Sequence, residues 1–250
     1  MTKSIPKLVH QIWFQGIDQN IPEPYNKSYK SCVKKFKEWD WQHKLWDKNS
    51  IEKLLNKYPN YKKKYDKLEL RIQKIDFAKY VIMYHYGGVY IDMDMECLKD
   101  IYKLIDKDDE LIVSKMSISL MYSNGIFFSI PKNKFWKDLI NKIDTKTYWW
   151  RKILPSMNIS LSVGNLFFTK FFDNYKGKKK LLDYKYLEGC ETKYNCEYEN
   201  DMYLKDNLAN HWLSWYESLA IRIYSIRKMI FYLVIILLLI LLFKKNQQYY

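Results

Sequence analysis

Asp92 and Asp94 sit two residues apart in the stretch Gly87 to Glu96, GGVYIDMDME. A strand is expected over Val89 to Met93, and in a strand residues i and i+2 share a face. Val89, Ile91, Met93 and Met95 then point one way, and Tyr90, Asp92 and Asp94 the other. The apolar face enters a core, while the acidic face needs a cation or solvent. Two carboxylates at a strand end suit a hard divalent ion that keeps water ligands and takes phosphate oxygens. Such an ion can neutralise a diphosphate leaving group as its bond to a sugar breaks. A bare Asp-x-Asp is also compatible with a solvated edge strand, so its surroundings decide. An EF-hand loop beginning at Asp92 requires Gly at its sixth position and Glu at its twelfth, where this chain has Cys97 and Lys103. Phosphatases that form an aspartyl-phosphate usually place Thr or Val two residues past the second Asp, and here that residue is Glu96.

The elements around the pair predict how it is positioned. Ile72, Ile75, Val81, Ile82 and Tyr86 recur at helical spacing over Arg71 to Tyr86, and Gly87 is placed to end that helix. Leu8 to Phe14, Gln42 to Trp46, Leu111 to Ser114 and Ile126 to Ile130 read as strands. Tyr25 to Phe36, Ile51 to Tyr58 (with Ser50 as its cap), Phe135 to Ile143 and Val163 to Phe172 read as helices. Tyr61 to Lys67 reads as a lysine-rich turn of helix, Gly16 to Pro24 and Lys176 to Lys180 as loops, and Asp183 to Asn210 has no clear pattern. Strands alternating with helices predict an α/β sandwich on a mainly parallel sheet.

With those elements in place, several ordered blocks resemble glycosyltransferase family 32. IPKLVHQIWFQG is similar to the family's opening strand and loop, Trp46-Asp47 follows, and the helix with Asp76 leads into GGVYIDMDMECLKDI. NGIFFSIPKNKFW, SVGNLFFT and HWLSW resemble its later blocks, so the likeness runs from about Ile5 to Trp215. The resemblance implies a GT-A type, Rossmann-like nucleotide-sugar fold with added helices. It implies a retaining transferase that uses Mn2+ or Mg2+. Trp13 would stack on the nucleobase. Asp76 would accept hydrogen bonds from ribose or donor-sugar hydroxyls. Lys79 stands where the family usually has Arg, and supplies a point charge without a bidentate fork. Tyr90 would contact the nucleotide, Asp92 ribose and metal-bound water, and Asp94 the metal directly. His211 would be a third metal ligand or diphosphate contact, with Ser214 and Trp215 closing over the diphosphate. Asn124 would touch the donor sugar, and Gly164 and Asn165 would orient the acceptor. Read without the resemblance, Trp13 is a core residue, Asp76 and Lys79 an i,i+3 ion pair on an exposed helix face, and His85 a packing residue.

Composition narrows the class. The 250 residues carry a formal net charge of +14. The lysines are spread along the chain and no nucleic-acid signature accompanies them, so no nucleic-acid partner is expected. Cys32, Cys97, Cys190 and Cys196 are too scattered for a zinc site. They are expected to be free thiols, with Cys190 and Cys196 a possible pair in an oxidising lumen. The N-terminus shows no signal-peptide pattern. Met229 to Phe243 is uncharged and bracketed by Arg227, Lys228, Lys244 and Lys245. As a helix it spans about 22 Å, short of the ~30 Å hydrocarbon core, with snorkelling lysines and a thinner internal membrane to close the gap. A catalytic domain over 1–220 and a single-pass membrane anchor with a short tail over 221–250 are therefore expected, in a Golgi or ER type membrane. The favoured donor is GDP-mannose and the favoured acceptor a lipid such as inositol-phosphoceramide. The alternatives are a UDP-sugar donor with a glycan acceptor, and a catalytically silent nucleotide-sugar-binding protein.

Overall fold

The computed structural model describes residues 4–16, 20–116, 121–145, 154–187, 200–207 and 216. Met1–Ala209 form one compact unit and Asn210–Tyr250 a second, of which Tyr216 alone is among the described residues.

Among the described residues, six strands form the main sheet. They are β1 (Leu8–Ile12), β2 (Gln42–Trp46), β3 (Gly88–Ile91), β5 (Leu111–Lys115), β6 (Tyr122–Ser129) and β7 (Lys180–Leu182), in the order β2-β1-β3-β6-β5-β7. β1 pairs in parallel with both β2 and β3, and β5 with β7. β6 runs antiparallel between β3 and β5, so the expected mainly parallel sheet is a mixed one. A separate two-stranded sheet joins β4 (Met95–Cys97) to β8 (Leu204–Asp206), the latter from the stretch that showed no pattern in the sequence.

The sheet divides two cores because side chains alternate along each strand. Tyr90, Val113 and Phe127 face the core built by α2 (Lys48–Leu55), α3 (Pro59–Lys67), α4 (Arg71–Tyr86), α5 (Lys134–Lys142), α6 (Pro155–Ser162) and α7 (Asn165–Asn174). Val89, Ile91, Ile112, Ile126 and Phe128 face the other core, closed by α1 (Tyr25–Glu38), by Met95 and Cys97 of β4, and by Leu187 of the short α8 (Tyr184–Leu187).

Several local expectations are corrected. The expected strand Val89 to Met93 stops at Ile91, because β4 belongs to a different sheet and the chain must change direction between them. Asp92 and Asp94 therefore sit on the connecting turn and not on one strand face. Asp47, not Ser50, caps α2, and the two residues bond reciprocally as a capping box. The helix expected over Val163 to Phe172 begins two residues later, as α7, because Gly164 separates it from α6, which was not expected. Val163 and Gly164 both donate to the Ile159 carbonyl to close α6, and the Gly164 carbonyl accepts from Phe168 to open α7. The loop expected over Lys176 to Lys180 ends in β7. The free-thiol expectation fails for Cys32 and Cys97, which form a disulfide between α1 and β4. They lie 65 residues apart in sequence, and only the packing of α1 on β4 brings them together. Cys190 and Cys196 lie outside the described residues, as do Met229 to Phe243. Among the described residues, no helix is long and apolar enough to cross a membrane.

Candidate active site

Parallel pairing of β1 and β3 sets their carboxyl ends side by side, the end at which open α/β sheets bind ligands. Trp13 follows β1 and Asp92 follows β3. Because β6 is antiparallel to β3, with Ile91 opposite Ile126, its first half delivers Asn124 and Gly125 to the same end. The Asp92 amide donates to the Gly125 carbonyl at 2.8 Å. Three chain segments far apart in sequence thus meet at one end of the sheet.

The turn into β3 depends on glycine. Gly87 and Gly88 have φ of +63° and +86°. A Cβ on Gly88 would lie 2.2 Å from the Leu8 carbonyl oxygen, and one on Gly87 2.4 Å from Pro131 N, so both positions demand glycine twice over. His10 anchors this junction. Its Nε2 lies 3.0 Å from the Gly87 carbonyl and its Nδ1 accepts from Trp46 Nε1 at 3.1 Å, so Nε2 carries the proton and donates. Complete burial pushes the His10 pKa down to about 3.

α4 contributes Asp76 and Lys79. Lys79 Nζ lies 2.8 Å from Asp76 Oδ1 and 3.8 Å from Asp92 Oδ1. The exposed i,i+3 pair considered from the sequence is instead buried, with side chains only 2% and 7% accessible. Burial pushes the Asp76 carboxyl up, against the pull of Lys79 and a hydrogen bond from Asn124. Burial acts against the Lys79 ammonium too, but Asp76, Asp92 and Asp94 together outweigh it and lift its pKa. The lysine therefore stays a cation between two carboxylates. It also lies 5.2 Å from the Tyr90 ring centroid.

Tyr90 donates its hydroxyl to Asp92 Oδ1 at 2.7 Å. Burial, followed by Asp92, raises its pKa well above the ordinary value. The other Asp92 oxygen faces Gly125, where a Cβ would stand 2.8 Å from Oδ2. Gln11, itself 2.9 Å from His43 Nε2, donates to the Asp92 carbonyl at 3.4 Å. Asp94 is held by its backbone, because Asn207 N and Nδ2 reach its carbonyl at 3.1 and 3.0 Å.

Trp13 lies beside the turn. Its ring centroid is 5.5 Å from that of Tyr25, the first residue of α1, and its Nε1 is buried without a hydrogen-bond partner among the described residues. Burial, then Asp94 and Asp92, raise the Tyr25 pKa to about 12. Tyr25 and Gly125 went unmarked in the sequence. For Gly125 a signal exists, since glycine inside a strand often marks a close approach. Tyr25 at a helix start carries none. Asn165 donates Nδ2 to Met116 Sδ, and Gly164 serves the break between α6 and α7. His85 lies against Tyr58 and Tyr86, a packing environment. His211, Ser214 and Trp215 lie outside the described residues.

No set of three His, Cys, Asp or Glu side chains among the described residues is grouped to hold a metal ion. The Asp92 and Asp94 carboxylates offer hard oxygens of the kind that suits Mg2+ or Mn2+ with water and phosphate ligands, and not a soft ion.

Comparison with known proteins places this arrangement. Residues 22–112 match the family described as a glycosyltransferase sugar-binding region containing a DXD motif. Inositol phosphoceramide mannosyltransferase 1 of Schizosaccharomyces pombe is 33% identical over 175 residues, which cover 69% of this chain and 53% of that protein. The chain thus spans about half the length of that relative. An uncharacterized glycosyltransferase of Acanthamoeba polyphaga mimivirus is 29% identical over 223 residues, 83% of this chain and 84% of its own. Among solved structures, the PaToxG glycosyltransferase superposes with a TM-score of 0.51 at 15% identity, over 68% of this chain and 69% of its own, a likeness of fold.

Proposed function

We propose that this chain, which carries the sugar-binding region of the family 32 DXD glycosyltransferases, moves a hexosyl group from a nucleoside-diphosphate sugar to an acceptor hydroxyl with retention of configuration. The observation that carries this reading is the Asp92–Asp94 turn, set at the carboxyl ends of β1 and β3 with Lys79 and Asp76 beneath it and Trp13 beside it. The favoured donor is GDP-mannose and the favoured acceptor a membrane lipid such as inositol-phosphoceramide. The relative named an inositol phosphoceramide mannosyltransferase supports the mannosyl group and the acceptor class.

Each residue has a part. Asp94 and Asp92 would hold Mn2+ or Mg2+, and the sequence likeness alone assigns His211 as a third ligand. The ion, when bound, lowers the cost of charge building on the departing diphosphate. Asp92 has one oxygen engaged by Tyr90 and is thereby oriented, with its remaining acceptor capacity directed to ribose or metal-bound water. Lys79 keeps Asp76 and Asp92 from repelling each other, and Asn124 braces Asp76 toward sugar hydroxyls. Trp13 presents an aromatic face to the base, and Ser214 and Trp215 cover the diphosphate and exclude water. A catalytic domain over 1–220 and an anchor through Met229 to Phe243 in a Golgi or ER type membrane complete the proposal.

A panel of nucleotide sugars with Mn2+ or Mg2+, read as nucleoside diphosphate release, tests it. GDP-mannose is expected to support release, and Asp94→Ala to abolish the metal-dependent part. Release with UDP-sugars alone would replace the donor assignment with the UDP-sugar, glycan-directed alternative. Release unchanged by Asp94→Ala, or absent with every donor, would overturn the enzymatic reading in favour of a silent binding protein.

A further inference from the structure

The turn that holds the acidic pair is not supported by the main sheet alone. α1 lies along its far side, and one face of that helix meets the chain from Asp94 to Cys97 at successive points. Ser28 Oγ lies 3.3 Å from the Asp94 carbonyl and equally far from that of Pro24, and it accepts from Asn207 Nδ2 at 2.9 Å. One helical turn later, Ser31 Oγ donates to the Cys97 carbonyl at 3.2 Å, and Cys32 is bonded to Cys97. Positions 28, 31 and 32 are spaced i, i+3, i+4 and so share a helix face. Ser28 and both cysteines are essentially inaccessible to solvent. The same helix begins with Tyr25, which reaches Trp13 and feels the charge of both aspartates.

We propose that Ser28, Ser31 and the Cys32–Cys97 disulfide are positioning residues. Together they make α1 a splint that fixes the backbone of Asp94 for ligand binding. The inference rests on the reading of Asp92 and Asp94 as the ligand-holding pair. Their side chains project from a three-residue turn, Asp92 to Asp94, between sheets that share no strand. A carboxylate on such a turn is placed only as well as its backbone is placed. Asp94 has no ladder partner in the main sheet. Its carbonyl is instead held by Asn207 from the end of β8 and by Ser28 from α1. The disulfide stops α1 from sliding along β4 and so keeps Ser28 in register with that carbonyl.

The splint can be opened chemically. A dithiol reductant gives two electrons and two protons to the Cys32–Cys97 bond, which breaks to two thiols while the reagent closes to its own cyclic disulfide. In the metal-free protein, hydrogen exchange of the Met95 to Cys97 amides is expected to quicken about tenfold or more after reduction, and in Ser28→Ala. Mn2+ binding, followed by the loss of its free-ion spin-resonance signal, is expected to weaken by about the same factor in both. Ser28→Thr keeps the hydroxyl and is expected to restore binding to within about twofold. A role in general stability alone would not give that rescue. A full Ser28 series with wild-type Mn2+ affinity, or exchange at Met95 to Cys97 unchanged by reduction, overturns the inference and leaves the glycosyltransferase reading standing. Oxidised wild-type protein that binds no Mn2+ overturns both.

Discussion

At the scale of single residues, the acidic pair is defined by what is missing beside it. Gly125 has no side chain, and the space a methyl would fill is taken by Asp92 Oδ2 on one side and Met95 Cε, 3.2 Å away, on the other. Since Asp92 Oδ1 is already bonded to Tyr90, the carboxylate cannot swing aside without losing that contact. Gly125→Ala is therefore expected to lower kcat/KM about tenfold or more while the melting temperature moves little, as steady-state kinetics and a thermal scan would show. The pair itself was legible in the sequence, and so were Asp76, Lys79 and Trp13. Their environment was not. Asp76 and Lys79 at i,i+3 look the same in sequence whether the helix face is wet or buried, and only the docking of α4 on the sheet buries them.

At the scale of elements, α4 carries a buried ion pair on its packed face, and that has a stability signature. Removing the cation leaves the Asp76 carboxyl buried without its ion-pair partner. Lys79→Met is expected to cost about 3–5 kcal/mol in a denaturant titration, and Lys79→Met with Asp76→Asn to recover a large part of it without recovering activity. Elements with long periodic patterns, α4 above all, were legible with their bounds. The misses share a cause. The end of β3 and the pairing of β4 with β8 are decided by partners distant in sequence. The antiparallel direction of β6 is another such case, since a strand's pattern does not record the direction of its neighbour.

At the scale of the whole molecule, acid should unfold the protein through His10, which is buried, and His43, which is partly buried. His10 and His43 are pushed down by burial to about 3 and about 4 from an ordinary 6.5. Their folded-state values are depressed, so the unfolded chain binds protons first as pH falls below about 6.5. Stability from these groups is complete above that value and is lost toward pH 3–4. Asp76, raised by burial, works in the opposite direction. Denaturant midpoints are thus expected to fall from pH 7 to pH 4, and less steeply in His43→Gln. The sheet order has a separate consequence, for behaviour in concentrated solution. Among the described residues its outermost strands, β2 and β7, each have one neighbour, and an unpaired strand edge is a template for another chain. β7 is only three residues long, and its Lys180 is tied to Asp106 and Asp109. β2 carries Lys44, folded back over the Trp46 ring. Short, lysine-bearing borders offer a neighbouring copy little to zip onto, so the sheet that gathers the site is also guarded against aggregation from its rims.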